Sequence, residues 1–555
     1  MIKSILKYCA AAAVMLAVAV VSVFAVRDDF GLGRNMELLV NMMRELSLHY
    51  VDEVSPDDLM QNAADGMVSR LDPYTEYLSE EGMRKFELSA TGKYGGVGAL
   101  IRQRGDYVVI AEPYRGFPAD RAGLKAGDKI VAIDGADARG FTTEEVSNRL
   151  KGDPNTYVSV TVEHLADGET LTHKIKRERI SISGISYAGW AADGIGYIVH
   201  SEFKEGCYDD MRAAIERLRS EGELKGLILD YRNNGGGFLE EAVKITSLFV
   251  PKGTEVLETR GRVADAGRTY RTSQEPLLPD LPLVLLINGN TASSSEIVAG
   301  ALQDLDRAVL AGGKSFGKGL VQTTLPIGYD AYVKMTTAKY YIPSGRCIQN
   351  LDYSSHDADV REVPDSLVRE FVTRNGRKVY DGGGIMPDVR IEPKYMSRFA
   401  VMLYALGFID EFCDDYVRRH PGAVIDSRTF AITDADYADF KEFMKDKEVP
   451  YTSDTRVALE RLRKAVEADR YGDRYGELLE AMERGLEDDK MSNLESYRRE
   501  IEMSIESGIV LRFNYSEGAA EYAMADDPEV AAAVELLGDA GRYGAILESQ
   551  DTVKK

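Results

Sequence analysis

Apolar positions change their spacing four times along this chain, and each change marks a different kind of structure. Lys3 and Lys7 precede eighteen uncharged residues, Cys9 to Val26, which Arg27-Asp28-Asp29 interrupts. That run is at the short end for a membrane-spanning helix, and its basic flank keeps residues 1–8 in the cytoplasm while sending the rest outward. Val23-Phe24-Ala25 also fits a signal-peptide cleavage site. Residues 9–26 therefore read as a retained anchor or a cleaved signal, and either one exports the body of the protein. From 34 to 90 the spacing is helical, with Met36, Leu39, Val40, Met43, Leu46 and Tyr50 on one stripe and Ala63, Met67, Val68 and Leu71 on a second. Asp72-Pro73 stops that pattern. Residues 92–179 switch to short β-rich runs punctuated by glycine. Between 180 and 395 the strands are apolar on both faces, as in Leu227-Ile228-Leu229 and Leu283 to Ile287, and alternate with helical segments. Such strands predict a covered, largely parallel sheet of α/β class. Residues 396–555 are helix-rich and acidic.

Length and charge narrow the function. A chain of 555 residues needs several cores, and a formal net charge of −23 argues against nucleic acid, whose phosphates require a basic face. Much of the acid lies at Asp410-Glu411, Asp434 to Asp439 and Glu487-Asp488-Asp489, where solvated helix faces are the expectation. Cys9, Cys207, Cys347 and Cys413 are scattered singly, with no CxxC spacing. No H-E-x-x-H or comparable cluster points to a metal, and no cofactor is expected.

The candidate chemistry sits between Thr291 and Gln322. Ser293-Ser294-Ser295 opens a predicted helix at Glu296, and Lys318, framed by Gly317 and Gly319, follows Ser293 by twenty-five positions with no histidine between. A serine hydroxyl needs a base within hydrogen-bond reach, and a lysine held away from water can be that base. Taken separately, the serines are good helix N-caps and the lysine a surface turn. Gly313-Lys314-Ser315 imitates the end of a phosphate loop, but Ala308 stands where that motif needs glycine. A Ser-His hydrolase is the catalytic rival. Of the six histidines, His200 in the strand Tyr197 to His200 is best placed for it, although no G-x-S-x-G surrounds Ser293. Upstream, Asn234-Gly235-Gly236-Gly237 follows a buried strand and can aim bare N–H groups at one point.

These motifs together resemble the carboxy-terminal processing peptidases, or tail-specific proteases, over roughly residues 35 to 395. The likeness rests on Asn290 to Ile297, on Ser315 to Gln322, and on Asp230-Tyr231-Arg232-Asn233-Asn234-Gly235-Gly236-Gly237. It implies a ClpP/crotonase-like α/β peptidase core at 180–395 with an inserted PDZ domain at 92–179, an N-terminal helical region at 34–90 and a helical C-terminal domain at 396–555. It places the nucleophile at Ser293, the general base at Lys318 and the lysine's orienting partner at Gln322, reached across a helix or tight turn. One oxyanion donor falls at Gly236 or Gly237 and the other at the backbone of Ser294. Tyr94-Gly95-Gly96-Val97-Gly98 resembles the PDZ carboxylate-binding loop, with Gly123 to Asp128 as the second signature. That implies polypeptide substrates with exposed apolar C-terminal tails, docked as an added strand. Lys151 to Thr156 departs from the glycine-threonine turn expected after the PDZ helix, and Gly383 to Val389 closes the resemblance in a structural role. The expected enzyme is an exported serine endopeptidase, periplasmic or otherwise extracytoplasmic, attached to the membrane through residues 9–26. The second function class is a non-catalytic PDZ scaffold. The C-terminal domain is expected to form a homodimer or dock an adaptor.

Overall fold

The computed structural model describes residues 31–263, 267–353, 361–486 and 490–548. The apolar segment 9–26, expected to anchor or export the chain, lies outside them. Among the described residues no helix is long and apolar enough to cross a membrane. They divide into a smaller unit of residues 31–83 with Gln322–Thr336 and Tyr353, and a larger unit holding the rest.

In the smaller unit a helix covers 31–49, and a second, Pro56–Val68, starts on Ser55, whose Oγ accepts from Asp57 N and Asp58 N. Helix ends at Val68 and Asp72 takes over, accepting from the N–H groups of Tyr74 and Thr75 at 2.8 Å each. This turn delivers the strand Glu76–Leu78, which pairs antiparallel with 332–334 and is pinned by a Lys334–Glu76 ion pair of 2.6 Å.

The larger unit contains the expected α/β core. Its sheet has six strands in spatial order β1 (Ile185–Ala192), β2 (Ile195–His200), β3 (Gly226–Asp230), β4 (Leu283–Ile287), β5 (Val309–Gly312) and β6 (Val389–Arg390). Only the β1–β2 pairing is antiparallel. Alternation along the strands divides the apolar residues between two faces. Leu227, Leu229, Leu283, Leu285, Ile287 and Leu310 pack against helices α1 (Cys207–Glu221), α2 (Leu239–Thr246) and α3 (Ser294–Asp304). Ile228, Val284, Leu286, Val309 and Ala311 pack on the other side against Met524, Val530, Ala533 and Leu536. Those four belong to the C-terminal helices α4 (Arg498–Ala525) and α5 (Pro528–Gly538). The second cover of the sheet thus comes from the C-terminal domain.

The PDZ-like domain is built on a sheet with Ala99–Arg104 at one edge, followed by Tyr107–Pro113, Lys129–Ile133, Tyr157–Glu163 and Thr170–Lys176. Its helix, Thr143–Leu150, begins with a capping box between Thr142 and Glu145 and buries Val146 and Leu150. The C-terminal domain has its own core around Phe399, Phe412, Phe440, Ile501, Ile505 and Ile509. It also grips the edge strand of the PDZ-like domain. Arg102 pairs with Asp410 and Arg104 with Asp414, while Arg512 bridges both aspartates from α4 at 3.0 and 2.6 Å. At Tyr515 (φ 63°, ψ −175°) α4 is kinked, and there Tyr515 Oη donates to Asp120 at 2.7 Å and Ser516 N to Glu112 at 2.8 Å. Part of the acid expected to be solvated is therefore committed to ion pairs with other domains.

Candidate active site

Ser293 stands at the start of α3, where β4 has delivered the chain through Asn288 to Ala292. Its backbone takes φ 56°, ψ −117°, a sparsely populated conformation for a residue with a Cβ. Such strain costs about 1–3 kcal/mol and persists only where surrounding bonds overdetermine it. Here they do. Ala292 N and Ser295 Oγ both donate to Asn234 O, at 2.9 and 3.0 Å, and Ser294 Oγ donates to Gly237 O at 2.8 Å. Two of the three serine hydroxyls are thus committed to the glycine turn. Ser293 and Ser294 are also brought against Gly236, where an added Cβ would lie 2.7 Å from the Ser293 Cβ and 2.8 Å from Ser294 N. Gly236 sits at φ +96°, and its N–H donates to Asn234 Oδ1 at 2.9 Å. Among the described residues the N–H groups of Gly237 and Ser294 meet no protein acceptor.

One carboxylate joins this turn to the lysine segment. Glu296 is fully buried, and its Oε2 accepts from Ser293 N at 2.8 Å and Lys318 N at 2.9 Å. Its Oε1 accepts from Gly317 N at 2.7 Å and Ser315 Oγ at 2.5 Å. The backbones of Ser293 and Lys318 therefore meet on a single oxygen atom. Burial pushes the Glu296 carboxyl up to about 6, against the opposing pull of the four hydrogen bonds. Gly317, at φ +90°, is confined, since a Cβ there would approach Asn350 Cβ to 2.5 Å. Farther along the chain, Ile385 N donates to Ser315 Oγ at 2.7 Å, so Gly383 to Val389 braces the lysine segment from behind. Lys318 itself is half-buried and Phe316 is exposed.

Gln322 is not on a helix or tight turn, as the sequence reading expected. It lies in the strand Leu320–Gly328 and within the smaller unit, where its Nε2 donates to Thr336 Oγ1 at 3.1 Å. His200 is enclosed by Phe203 and Tyr231, with ring centroids at 4.2 and 5.3 Å, and its Nε2 bonds the Glu202 carbonyl at 2.9 Å. Burial lowers its pKa to about 4, which leaves the imidazole neutral.

In the PDZ-like domain Gly95 and Gly96 end the strand Lys93–Gly96. Ala119 N donates to Val97 O at 2.8 Å and Tyr114 N to Gly98 O at 3.0 Å, which fixes the loop by its carbonyls. Among the described residues the N–H groups of Val97 and Gly98 meet no protein acceptor. The divergent segment after the helix folds onto this loop, with Gly152 N donating to Gly95 O at 3.1 Å. No group of three or more histidine, cysteine or acidic residues able to hold a metal occurs among the described residues.

Glu296 is the site residue that the motif reading missed. The sequence holds only a hint: Ile297 to Leu302 has no polar residue on any face, which fits a buried helix whose first-turn carboxylate needs partners, without saying which.

Comparison with known proteins identifies the family. The profile of Peptidase family S41 matches residues 194–356, a PDZ domain profile matches 109–164, and the "Probable PDZ-protease, C-terminal helical domain" profile matches 399–537. A carboxy-terminal-processing protease of Bartonella bacilliformis is 36% identical over 323 residues, which is 57% of this chain and 74% of the relative. A probable CtpA-like serine protease of Staphylococcus aureus is 32% identical over 368 residues, covering 65% of this chain and 66% of that protein. Among solved structures, a photosystem II D1 C-terminal processing protease aligns over 64% of this chain and 87% of its own at 26% identity, with a TM-score of 0.34. The chain belongs to the carboxy-terminal-processing proteases of peptidase family S41, and it is a PDZ-containing serine-type peptidase.

Proposed function

We propose that the protein cleaves polypeptides with a Ser293–Lys318 dyad after its PDZ domain has captured the substrate's C-terminus. The observation that carries this reading is the Glu296 carboxylate, which binds Ser293 N and Lys318 N on one oxygen. The amine of Lys318, in its neutral form, takes the proton of Ser293 Oγ as that oxygen attacks the peptide carbonyl. Negative charge on the former carbonyl oxygen is met by two backbone N–H groups. Gly236 already donates to Asn234, so we assign these donors to Gly237 and Ser294. Lys318 then protonates the leaving amine; the neutral lysine next deprotonates a water that attacks the ester, and returns that proton to Ser293 Oγ as the acid product leaves.

The loop Gly95-Gly96-Val97-Gly98 receives the terminal carboxylate through the N–H groups of Val97 and Gly98, and the tail adds to the edge strand Ala99–Arg104. Residues 9–26 export the chain and hold it at the membrane, so that it meets substrates outside the cytoplasm. The test is cleavage of an unstructured protein with an apolar C-terminus. Ser293→Ala and Lys318→Ala should each abolish cleavage while the fold survives, and His200→Ala should retain it. A Lys318→Ala variant that cleaves at the wild-type rate removes the dyad.

A further inference from the structure

The glycine turn is reached directly from β3 through Asp230, Tyr231 and Arg232. The last of these carries a guanidinium that is largely buried and surrounded by three carboxylates. Its Nε donates to both Asp230 oxygens at 3.0 Å, and its Nη2 reaches Asp230 Oδ2 at 2.5 Å. Tyr197 Oη donates to the same Asp230 oxygen at 2.6 Å. Arg232 Nη2 also reaches Tyr197 Oη at 3.5 Å, and two further contacts come from far along the chain. Arg232 Nη1 donates to Glu529 Oε2 at 2.6 Å, and Nη2 lies 2.7 Å from Asp527 Oδ2.

Asp527 and Glu529 belong to the first turn of α5, and local sequence sets them there. Asp527 is its N-cap, with Oδ1 accepting from Glu529 N at 2.8 Å and Val530 N at 3.2 Å, and Pro528 follows at the first helical position. Capping occupies one Asp527 oxygen and frees the other for Arg232. Glu529 is buried against Gly312 of β5, where an added Cβ would lie 2.9 Å from its Oε1. The strand exit is thus fixed on two sides. The Thr291–Ser295 loop holds it through Thr291 Oγ1, which donates to Tyr231 O at 2.9 Å, and through the bonds to Asn234 and Gly237. On the other side the guanidinium is held by Asp230 of its own strand and by the charged first turn of α5.

We infer that Asp527 and Glu529 of the C-terminal domain are positioning residues for the peptidase reaction, acting through Arg232 to hold the glycine turn where it meets the oxyanion. This rests on the reading of Gly237 and Ser294 as oxyanion donors. Neither carboxylate touches substrate in this arrangement, and neither residue lies in the catalytic segment of the chain. The helical domain completes the active site from outside.

The test uses the full chain, an unstructured protein substrate, and a peptide boronate that forms a tetrahedral adduct on the nucleophile. Glu529→Ala leaves Arg232 Nη1 without its acceptor, whereas Glu529→Gln keeps one, and Asp527→Asn keeps the helix cap. Glu529→Ala should lower kcat on the order of ten- to a hundredfold, somewhat less than deleting an oxyanion donor outright, with KM unchanged. Glu529→Gln should restore most of that loss. Boronate affinity should fall by the same factor as kcat, while Ser293→Ala and Ser293→Ala/Glu529→Ala bind uncleaved substrate equally. Should Glu529→Ala fail to fold, Asp527→Asn and Glu529→Gln, which preserve shape, carry the comparison, and Asp527→Asn should show the larger kcat loss. Unchanged kcat in the folded variants overturns the inference, as does a loss that falls equally on substrate binding. A wild-type protein that neither cleaves nor forms the adduct overturns the Ser293 reading and this inference with it. A competent wild type with indifferent variants overturns this inference alone.

Discussion

Replacing Glu296 by glutamine changes one carboxylate oxygen to an amino group at nearly constant shape. In the native protein each oxygen accepts two hydrogen bonds, so the amide must turn a donor toward two other donors. Hydrogen bonds to charged groups contribute about 1.5–3 kcal/mol each, so losing two costs roughly 3–6 kcal/mol. Part of this is offset, because glutamine has no charge to bury. The rise of the carboxyl from its ordinary 4.5 to about 6 is worth about 2 kcal/mol against the ionised form. The sign follows from linkage: the unfolded chain releases this proton first, so between pH 4.5 and 6 the wild type loses stability that the variant never had. Glu296→Gln should therefore unfold more easily than wild type by about 1–4 kcal/mol at pH 7.5, and by a larger margin below pH 4.5. Activity should suffer more than stability. A shift of about 1 Å between Ser293 and Lys318 is enough to lower kcat on the order of a hundredfold. Urea unfolding at both pH values, with kcat on an unstructured substrate, checks each part. A variant as stable and active as wild type at pH 7.5, or a stability gap that widens as pH rises, refutes the reasoning.

Gly236→Ala places a Cβ against Ser293 and Ala292 O at positive φ, so it should cost about 1–3 kcal/mol and lower kcat sharply, as read by calorimetry and steady-state assay. Asp414→Ala removes the buried acceptor shared by Arg512 and Arg104 while Arg512 keeps Asp410, so it should destabilise by about 3 kcal/mol, the low end for a broken buried pair; hydrogen exchange should report it first at the Ala99–Arg104 strand. A peptide ending in apolar residues should bind Ser293→Ala with measurable affinity by calorimetry, and its C-terminally amidated copy should bind far more weakly. Equal binding of the two would remove Val97 and Gly98 as carboxylate donors.

The α/β core was legible because its strands are apolar without alternation, and only a sheet covered on both faces makes such runs stable. Ser293 and Lys318 were singled out through local motifs, and the fold brings their backbone N–H groups to one carboxylate. What joins them was not legible. Glu296 reads locally as a helix-start residue, and its partners Ser315, Gly317 and Lys318 arrive only through tertiary folding. The conformation around Gln322 differs for a local reason, since the expected helix or turn is a strand whose β-branched Val321, Thr323 and Thr324 favour extension. Asp410, Asp414, Asp527 and Glu529 look like any other solvated acid of this domain. Their arginines stand at 102, 104 and 232, hundreds of positions earlier, and helical periodicity carries no information about contacts at that range.

The burial of the catalytic sheet also sets an order of events. Ile228, Val284, Leu286 and Val309 are covered by Met524, Val530, Ala533 and Leu536, which are synthesised well after the whole Ser293–Lys318 segment. A chain emerging in sequence therefore carries Ser293 and Lys318 before it can bury that face, and native packing there must await the C-terminal helices. The second cover of the sheet is therefore the last part of this core that the growing chain can complete.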